Sequence, residues 1–108
     1  MKAALILACI VVIGACAMSG MNTMPPASVL ITAGYAENSE SENLERGRIL
    51  AVTECTECHR IYWPAEFMPL DWSDILDDMG GRASLEADGV DAIRKYYVTA
   101  ARHAQETQ

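Results

Sequence analysis

Charged residues are almost absent from the first third of this sequence, and this segregation limits where a folded domain can lie. Lys2 is the only charged residue in positions 1–36, whereas all 15 acidic residues and the other seven basic residues lie in positions 37–108. The part of the chain expected to fold is therefore only about 72 residues long. A domain of that size buries little surface, so it usually needs a disulfide, a metal or a cofactor for stability.

The charge balance of this part excludes some classes of function. With seven basic and 15 acidic residues, positions 37–108 have a net charge of −8. Binding to nucleic acid requires clustered Lys and Arg, and the longest basic run is Arg94-Lys95, so we expect no nucleic-acid partner. The length also excludes a multidomain enzyme with a large buried pocket.

The N-terminal segment is typical of an export leader. Met1-Lys2 is followed by an apolar run over residues 3–15, which has the length of a secretory hydrophobic region. We therefore expect the folded part to lie in the periplasm or on the outer side of the cytoplasmic membrane. Cys9 is interpreted as an apolar residue of this run.

Three endings of the leader fit the sequence, and the residues leave all three open. Ile13-Gly14-Ala15-Cys16 has the form of a lipobox, in which Cys16 is lipidated and becomes the N-terminus. Gly34-Tyr35-Ala36 has the small-x-small form of a signal-peptidase site. Residues 3–24 carry no charge and are long enough to remain as an uncleaved membrane anchor.

The predicted organisation has three parts. Residues 1–36 form an export leader, or a lipoprotein or membrane anchor with a tether, residues 37–43 form an acidic linker, and residues 44–108 form the folded domain. The stretch 22–35 contains Pro25-Pro26 and small residues, so we expect no stable fold there.

The first predicted helix runs from about Asn43 to Cys58. One face of this helix carries residues at steps of three and four, namely Leu44, Gly47, Ala51, Cys55 and Cys58. Glycine costs about 1 kcal/mol relative to Ala in a helix interior unless another backbone comes close. Gly47 therefore predicts a tight helix crossing.

Two further helices follow, and the predicted fold class is all-α. The second helix is expected to begin at Asp71 as its cap and to end at Gly80-Gly81. The third is expected to run from Ser84 as its cap to about His103. No stretch alternates with the period of two that a strand requires.

Cys55-x-x-Cys58-His59 is the motif that carries chemistry. Two thiols a turn apart, followed directly by an imidazole, match covalent haem attachment through two thioethers with the histidine as the proximal iron ligand. A redox pair of cysteines is one competing interpretation, but such pairs normally follow a strand. A structural zinc site is another, and it requires four ligands.

Residues 44–103 resemble a short class I cytochrome c, with Glu45-x-Gly47 opening the helix that leads into the haem motif. The resemblance implies a small cytochrome c-like domain of three to four helices around one covalent haem c. It also implies that the terminal helices cross at Gly47 and at Tyr96 or Tyr97. The loop between the haem motif and the last helix is much shorter than in mitochondrial-type members, so the position of the second iron ligand cannot be transferred.

Met79 is the predicted sixth ligand, because Gly80-Gly81 lets the backbone approach a flat ring. Met68 is the second choice, and an open sixth position is the alternative that remains. Trp63 and Trp72 are expected in the wall of the haem pocket, and Arg60 or Arg82 could pair with a haem propionate.

The predicted function is that of an exported monohaem c-type cytochrome that carries single electrons between redox partner proteins, such as a periplasmic dehydrogenase or oxidase. An electron carrier needs no catalytic acid, base or nucleophile, so we expect no enzymatic site. The alternative is a haem c protein that binds or senses a small gas at an open sixth position.

Overall fold

Four α-helices and no strand make up the part of the chain that the computed structural model describes, residues 23–107. The helices are α1 (Ala27–Thr32), α2 (Ser41–Glu54), α3 (Pro69–Arg82) and α4 (Ala87–Glu106), with short 3-10 segments at Asn38–Glu40, Cys55–Glu57 and Pro64–Glu66. The predicted all-α class is confirmed for these residues.

Most of the leader predictions fall on residues that are not described, but the predicted cleavage site at Gly34-Tyr35-Ala36 lies within the described part. Lys2, the apolar run 3–15, Cys9 and Cys16 all lie outside the described part, as does the predicted anchor 3–24 except for its last two residues. Within residues 23–107, no helix has the length and apolar character that a membrane span requires.

The predicted close approach at Gly47 is confirmed. A Cβ atom on Gly47 would lie 2.1 Å from the carbonyl oxygen of Ala92, so only glycine lets the backbones of α2 and α4 meet here. The atoms nearest to this Cβ belong to Ala92 and Ile93, about one helical turn before Tyr96 and Tyr97. The rings of Tyr96 and Tyr97 are instead buried in the core, at 0% and 2% exposure.

Helix α3 begins earlier and ends later than predicted. It starts at Pro69, because proline is favoured in the first turn, where its missing N–H is not needed. Gly80 and Gly81 lie inside the helix rather than ending it, since Gly80 packs closely against the side chain of Val90.

Ser84 ends α3 instead of capping α4, which corrects the prediction for the third helix. Its φ of 55° is left-handed, and the N–H of Leu85 bonds the carbonyl of Gly80 at 3.2 Å, as in a Schellman motif. Helix α4 therefore starts only at Ala87 and runs to Glu106, about one turn beyond His103.

The prediction that residues 22–35 have no stable fold is wrong for the described residues 23–35. Helix α1 packs on α2 and α4, with Ala27 at 2% and Leu30 at 0% exposure. The stretch 37–43 contains a 3-10 turn and the start of α2 at Ser41. Helix α1 is therefore a packed part of the fold, whereas the stretch 37–43 is helical but mostly exposed.

The core lies where α4 meets the three other helices. Its largest fully buried side chains include those of Trp72, Tyr96, Leu30, Leu44 and Ile93. Two hydrogen bonds tie the loop between α2 and α3 to this core: the Trp72 Nε1–H donates to the Pro64 carbonyl at 3.0 Å, and the Tyr97 hydroxyl donates to the Tyr62 carbonyl at 2.7 Å. This loop follows the cysteine motif directly, so these bonds also hold the motif in place.

Candidate functional site

A cavity of about 270 Å³ lies where the end of α2 meets the end of α3. Its wall is mostly apolar, and its lining residues are Glu54, Cys55, Cys58, His59, Met79, Arg82 and Ala83. The fold therefore brings Met79, twenty residues further along the chain, to the same cavity as both cysteines and the histidine.

The two cysteines occupy different depths of this cavity. Helix α2 tightens into a 3-10 turn at Cys55–Glu57, which places Cys55 half-buried at the edge of the core and Cys58 at the surface. The two thiols are not joined by a disulfide. Both are thus available as thiols on one wall.

His59 is oriented by its own loop. Its Nδ1 lies 2.6 Å from the carbonyl oxygen of Arg60, and because a carbonyl oxygen only accepts, Nδ1 donates in this hydrogen bond, which does not involve Nε2. The ring packs against Tyr62, with ring centroids 4.9 Å apart. Metal-binding histidines commonly donate their second ring N–H to a carbonyl in this way.

Met79 reaches the cavity from α3, whereas the cysteines and the histidine reach it from the end of α2 and the loop that follows. A much smaller cavity shares Cys55 and Met79 with the first and continues toward the core, where it is lined by Leu76, Gly80, Leu85, Val90 and Ile93. The inner side of the site is therefore mostly aliphatic.

Only one of the two candidate arginines lines the cavity. Arg82 does so with a side chain that is 79% exposed, and it pairs with Asp78 in the preceding turn of α3. Arg60 is occupied elsewhere, because its guanidinium pairs with Glu66 and lies over the ring of Tyr62.

The electrostatics of Cys55 argue against a reactive redox thiol. Burial, and secondarily the neighbouring carboxylate of Glu54, raises the pKa of the Cys55 thiol above its ordinary value. Reactive cysteines in redox pairs have a lowered pKa instead. The described residues also contain no cluster of three or more His, Cys, Asp or Glu side chains that could hold a metal ion such as zinc.

Three groups of predicted residues lie away from the cavity. Met68 is 58% exposed, and its sulfur accepts a hydrogen bond from the side-chain amide of Gln105 at 3.0 Å. Neither Trp63 nor Trp72 lines the cavity, and the ring of Trp72 packs on Tyr97 in the core. His103 packs edge-on against Tyr35 at the far end of α4.

Sequence reasoning missed two members of the site. Glu54 lines the cavity directly before the first cysteine, and Tyr62 supports the ring of His59 three residues after it. Both could have been found from the sequence by their position next to the motif, because residues close to it in the chain lie close to the same cavity.

A covalently attached haem is a group that these donors could hold. The two thiols, Nε2 of His59 and the thioether of Met79 correspond in type to the attachment points and axial ligands of haem c. The volume of the cavity, about 270 Å³, is slightly smaller than that of typical ligand pockets, which is about 300–1,000 Å³. A group as large as haem would therefore keep one edge in solvent or widen the cavity.

Comparisons with protein-family models, with characterised proteins and with solved structures found no match to this chain.

Proposed function

We propose that this protein is an exported monohaem c-type cytochrome that carries single electrons between redox partner proteins, such as a periplasmic dehydrogenase or oxidase. The observation that carries the proposal is the cavity that Cys55, Cys58, His59 and Met79 line together. The two cysteines and the histidine lie together because they are close in the sequence. Met79 is distant in the sequence and reaches the same cavity only because the chain folds as it does.

The chain supplies the attachment and the proximal ligand from one short segment. Each thiol would add its S–H across a vinyl double bond of the haem to form a thioether, which requires no oxidant. His59 would offer Nε2 to the iron, while its Nδ1–H donates to the carbonyl of Arg60.

Met79 and the aliphatic inner wall would tune the electronic properties of the site. A bound haem would supply the one-electron couple between ferric and ferrous iron. A methionine ligand would raise the reduction potential relative to a second histidine, and the aliphatic side chains of Leu76 and Ile93 would disfavour the more charged state. Arg82 at the mouth provides a cation for a haem carboxylate.

Replacement of each candidate methionine tests the sixth ligand. The full chain is expressed with the machinery that attaches haem c, and Met79→Ala is compared with Met68→Ala. We expect the weak red absorption band of methionine-ligated ferric haem to disappear in the first variant and to persist in the second. Carbon monoxide should bind the reduced Met79→Ala protein readily and the wild type poorly.

Two results would contradict the proposal at different levels. A wild-type protein that stays colourless although another c-type cytochrome matures in the same cells would exclude haem c. A coloured wild-type protein that lacks the red band and binds carbon monoxide at once would instead show an open sixth position, as in a gas-binding protein.

A further inference from the structure

We infer that the mature protein retains residues 25–36, so that any cleavage of an export leader takes place before Pro25. The statement about cleavage rests on the proposed function, which includes export. The packing contacts that support the inference involve none of the proposed haem ligands.

Helix α1 contributes to the core rather than covering it. Leu30 has 0% and Ala27 has 2% exposure, and both belong to the same buried cluster as Leu44 and Tyr96. Signal peptidase acts before the exported chain folds, so a chain cleaved after Ala36 would have to fold without these side chains. It would then leave Leu44 and Tyr96 facing an empty space or water.

Three hydrogen bonds tie this segment to the two long helices. The buried hydroxyl of Tyr96 donates to the carbonyl of Pro25 at 2.9 Å, and the Ala27 N–H donates to a carboxylate oxygen of Glu45 at 3.1 Å. The Tyr35 hydroxyl donates to Glu106 at 2.6 Å. Removal of the segment would leave the Tyr96 hydroxyl without this acceptor, which is costly for a buried group.

The small residues that imitate a cleavage site have a structural role. Gly34 has a φ of +85°, and the N–H groups of Gly34 and Tyr35 bond the carbonyls of Ile31 and Leu30, both at 2.9 Å. This is a Schellman motif, in which glycine is favoured because it adopts left-handed angles without strain. Ala36 packs against the core. The Gly34-Tyr35-Ala36 pattern is therefore explained by the end of α1.

Two of the three sequence-compatible endings remain, namely lipidation at Cys16 and an uncleaved apolar segment. Both lie before Pro25, and both would leave the chain attached to a bilayer. We therefore expect the haem domain to be held at the membrane surface by the chain that precedes α1.

The mature N-terminus of the full chain provides the test. The protein is expressed with export and haem attachment, recovered from membrane and soluble fractions, and its intact mass is measured. We expect a first residue before Pro25 and recovery in the membrane fraction. A folded, haem-containing protein that begins at Glu37 would overturn the inference, whereas a colourless protein that retains residues 25–36 would contradict only the haem proposal.

Point variants of the full chain test the packing itself. Leu30→Ala should lower the unfolding temperature by at least about 10 °C, because it empties a fully buried position. Val29→Ala on the same helix is the control, since Val29 is 42% exposed, and it should shift this temperature by less than about 3 °C. Equal small shifts in both variants would show that α1 does not belong to the folded core.

Discussion

Three glycines differ in how closely other atoms approach the position that a Cβ atom would occupy. Gly47, Gly80 and Gly81 all lie within helices, where glycine is unfavourable by about 1 kcal/mol relative to Ala. Their surroundings differ, however. Gly47 meets the backbone of another helix and Gly80 meets the side chain of Val90, whereas nothing lies within 4 Å of a Cβ on Gly81.

Alanine at Gly47 and at Gly81 should therefore act in opposite directions. Gly47→Ala places a methyl group 2.1 Å from the Ala92 carbonyl oxygen, so α2 and α4 must separate, and we expect a loss of about 2 kcal/mol in the free energy of unfolding. Gly81→Ala should gain up to about 1 kcal/mol, because alanine favours the helix and restricts the unfolded chain. Urea unfolding of both variants measures the two changes, and a stabilised Gly47→Ala protein would disprove the tight crossing.

At the scale of the element, α1 shows how a short helix is held by its neighbours. Six residues are too few for a helix to be stable alone, so its structure depends on packing. Glu45 on α2 connects the two helices, because one carboxylate oxygen accepts the Ala27 N–H and the other pairs with Arg48. Arg48 lowers the pKa of the Glu45 carboxyl, and the Ala27 N–H adds to this effect.

Glu45→Gln should weaken the fold only where the carboxylate is ionised. A lowered pKa in the folded state stabilises the protein above the ordinary pKa of glutamate, about 4.3, and this contribution is lost as the pH falls through the lowered value. We expect a loss of roughly 0.5–1 kcal/mol at pH 7, reduced because the pair is one third exposed, and a smaller difference from wild type at pH 3. Urea unfolding at both pH values measures this.

Glu42→Gln on the same helix is the matched control for that experiment. Glu42 is exposed and has no hydrogen-bond or ion-pair partner within residues 23–107, so its replacement should change stability by less than about 0.5 kcal/mol at either pH. If the two variants behaved alike at pH 7, Glu45 would contribute no specific interaction.

At the scale of the whole molecule, the cavity lies between elements that a cofactor would join. Its wall combines the end of α2, the loop that follows and the end of α3, while α4 lines its inner extension. A small domain has limited apolar surface of its own to bury. A haem attached here would add apolar contacts to three helices at once.

The proposed haem should therefore stabilise the domain measurably. Protein matured with haem is expected to unfold at least about 5 °C above the same chain produced without the attachment machinery, which is about 1 kcal/mol for a domain of this size. Circular dichroism in the helical region follows both transitions. Identical unfolding temperatures would indicate that the group does not occupy the cavity.

Features that depend on neighbours along the chain were predictable from the sequence. The cysteine and histidine motif places its donors together within five residues, and helical periodicity identified α2 together with the close approach at Gly47. Each of these follows from the 3.6-residue repeat or from the conformational cost of one glycine. The all-α class follows from the same periodicity.

Features that depend on contacts between distant segments required the tertiary structure. Met79 and Met68 are the same residue type, so the sequence does not distinguish them as ligands. Only the packing of α3 brings Met79 to the cavity and leaves Met68 exposed. The uncharged stretch around Leu30 resembles a leader in its sequence, yet burial against α2 and α4 makes it part of the core. Sequence alone thus determined which donor groups lie next to each other in the cysteine and histidine motif. Only the tertiary structure decided which distant residues join that motif or the core, because burial depends on the partners that the fold brings together.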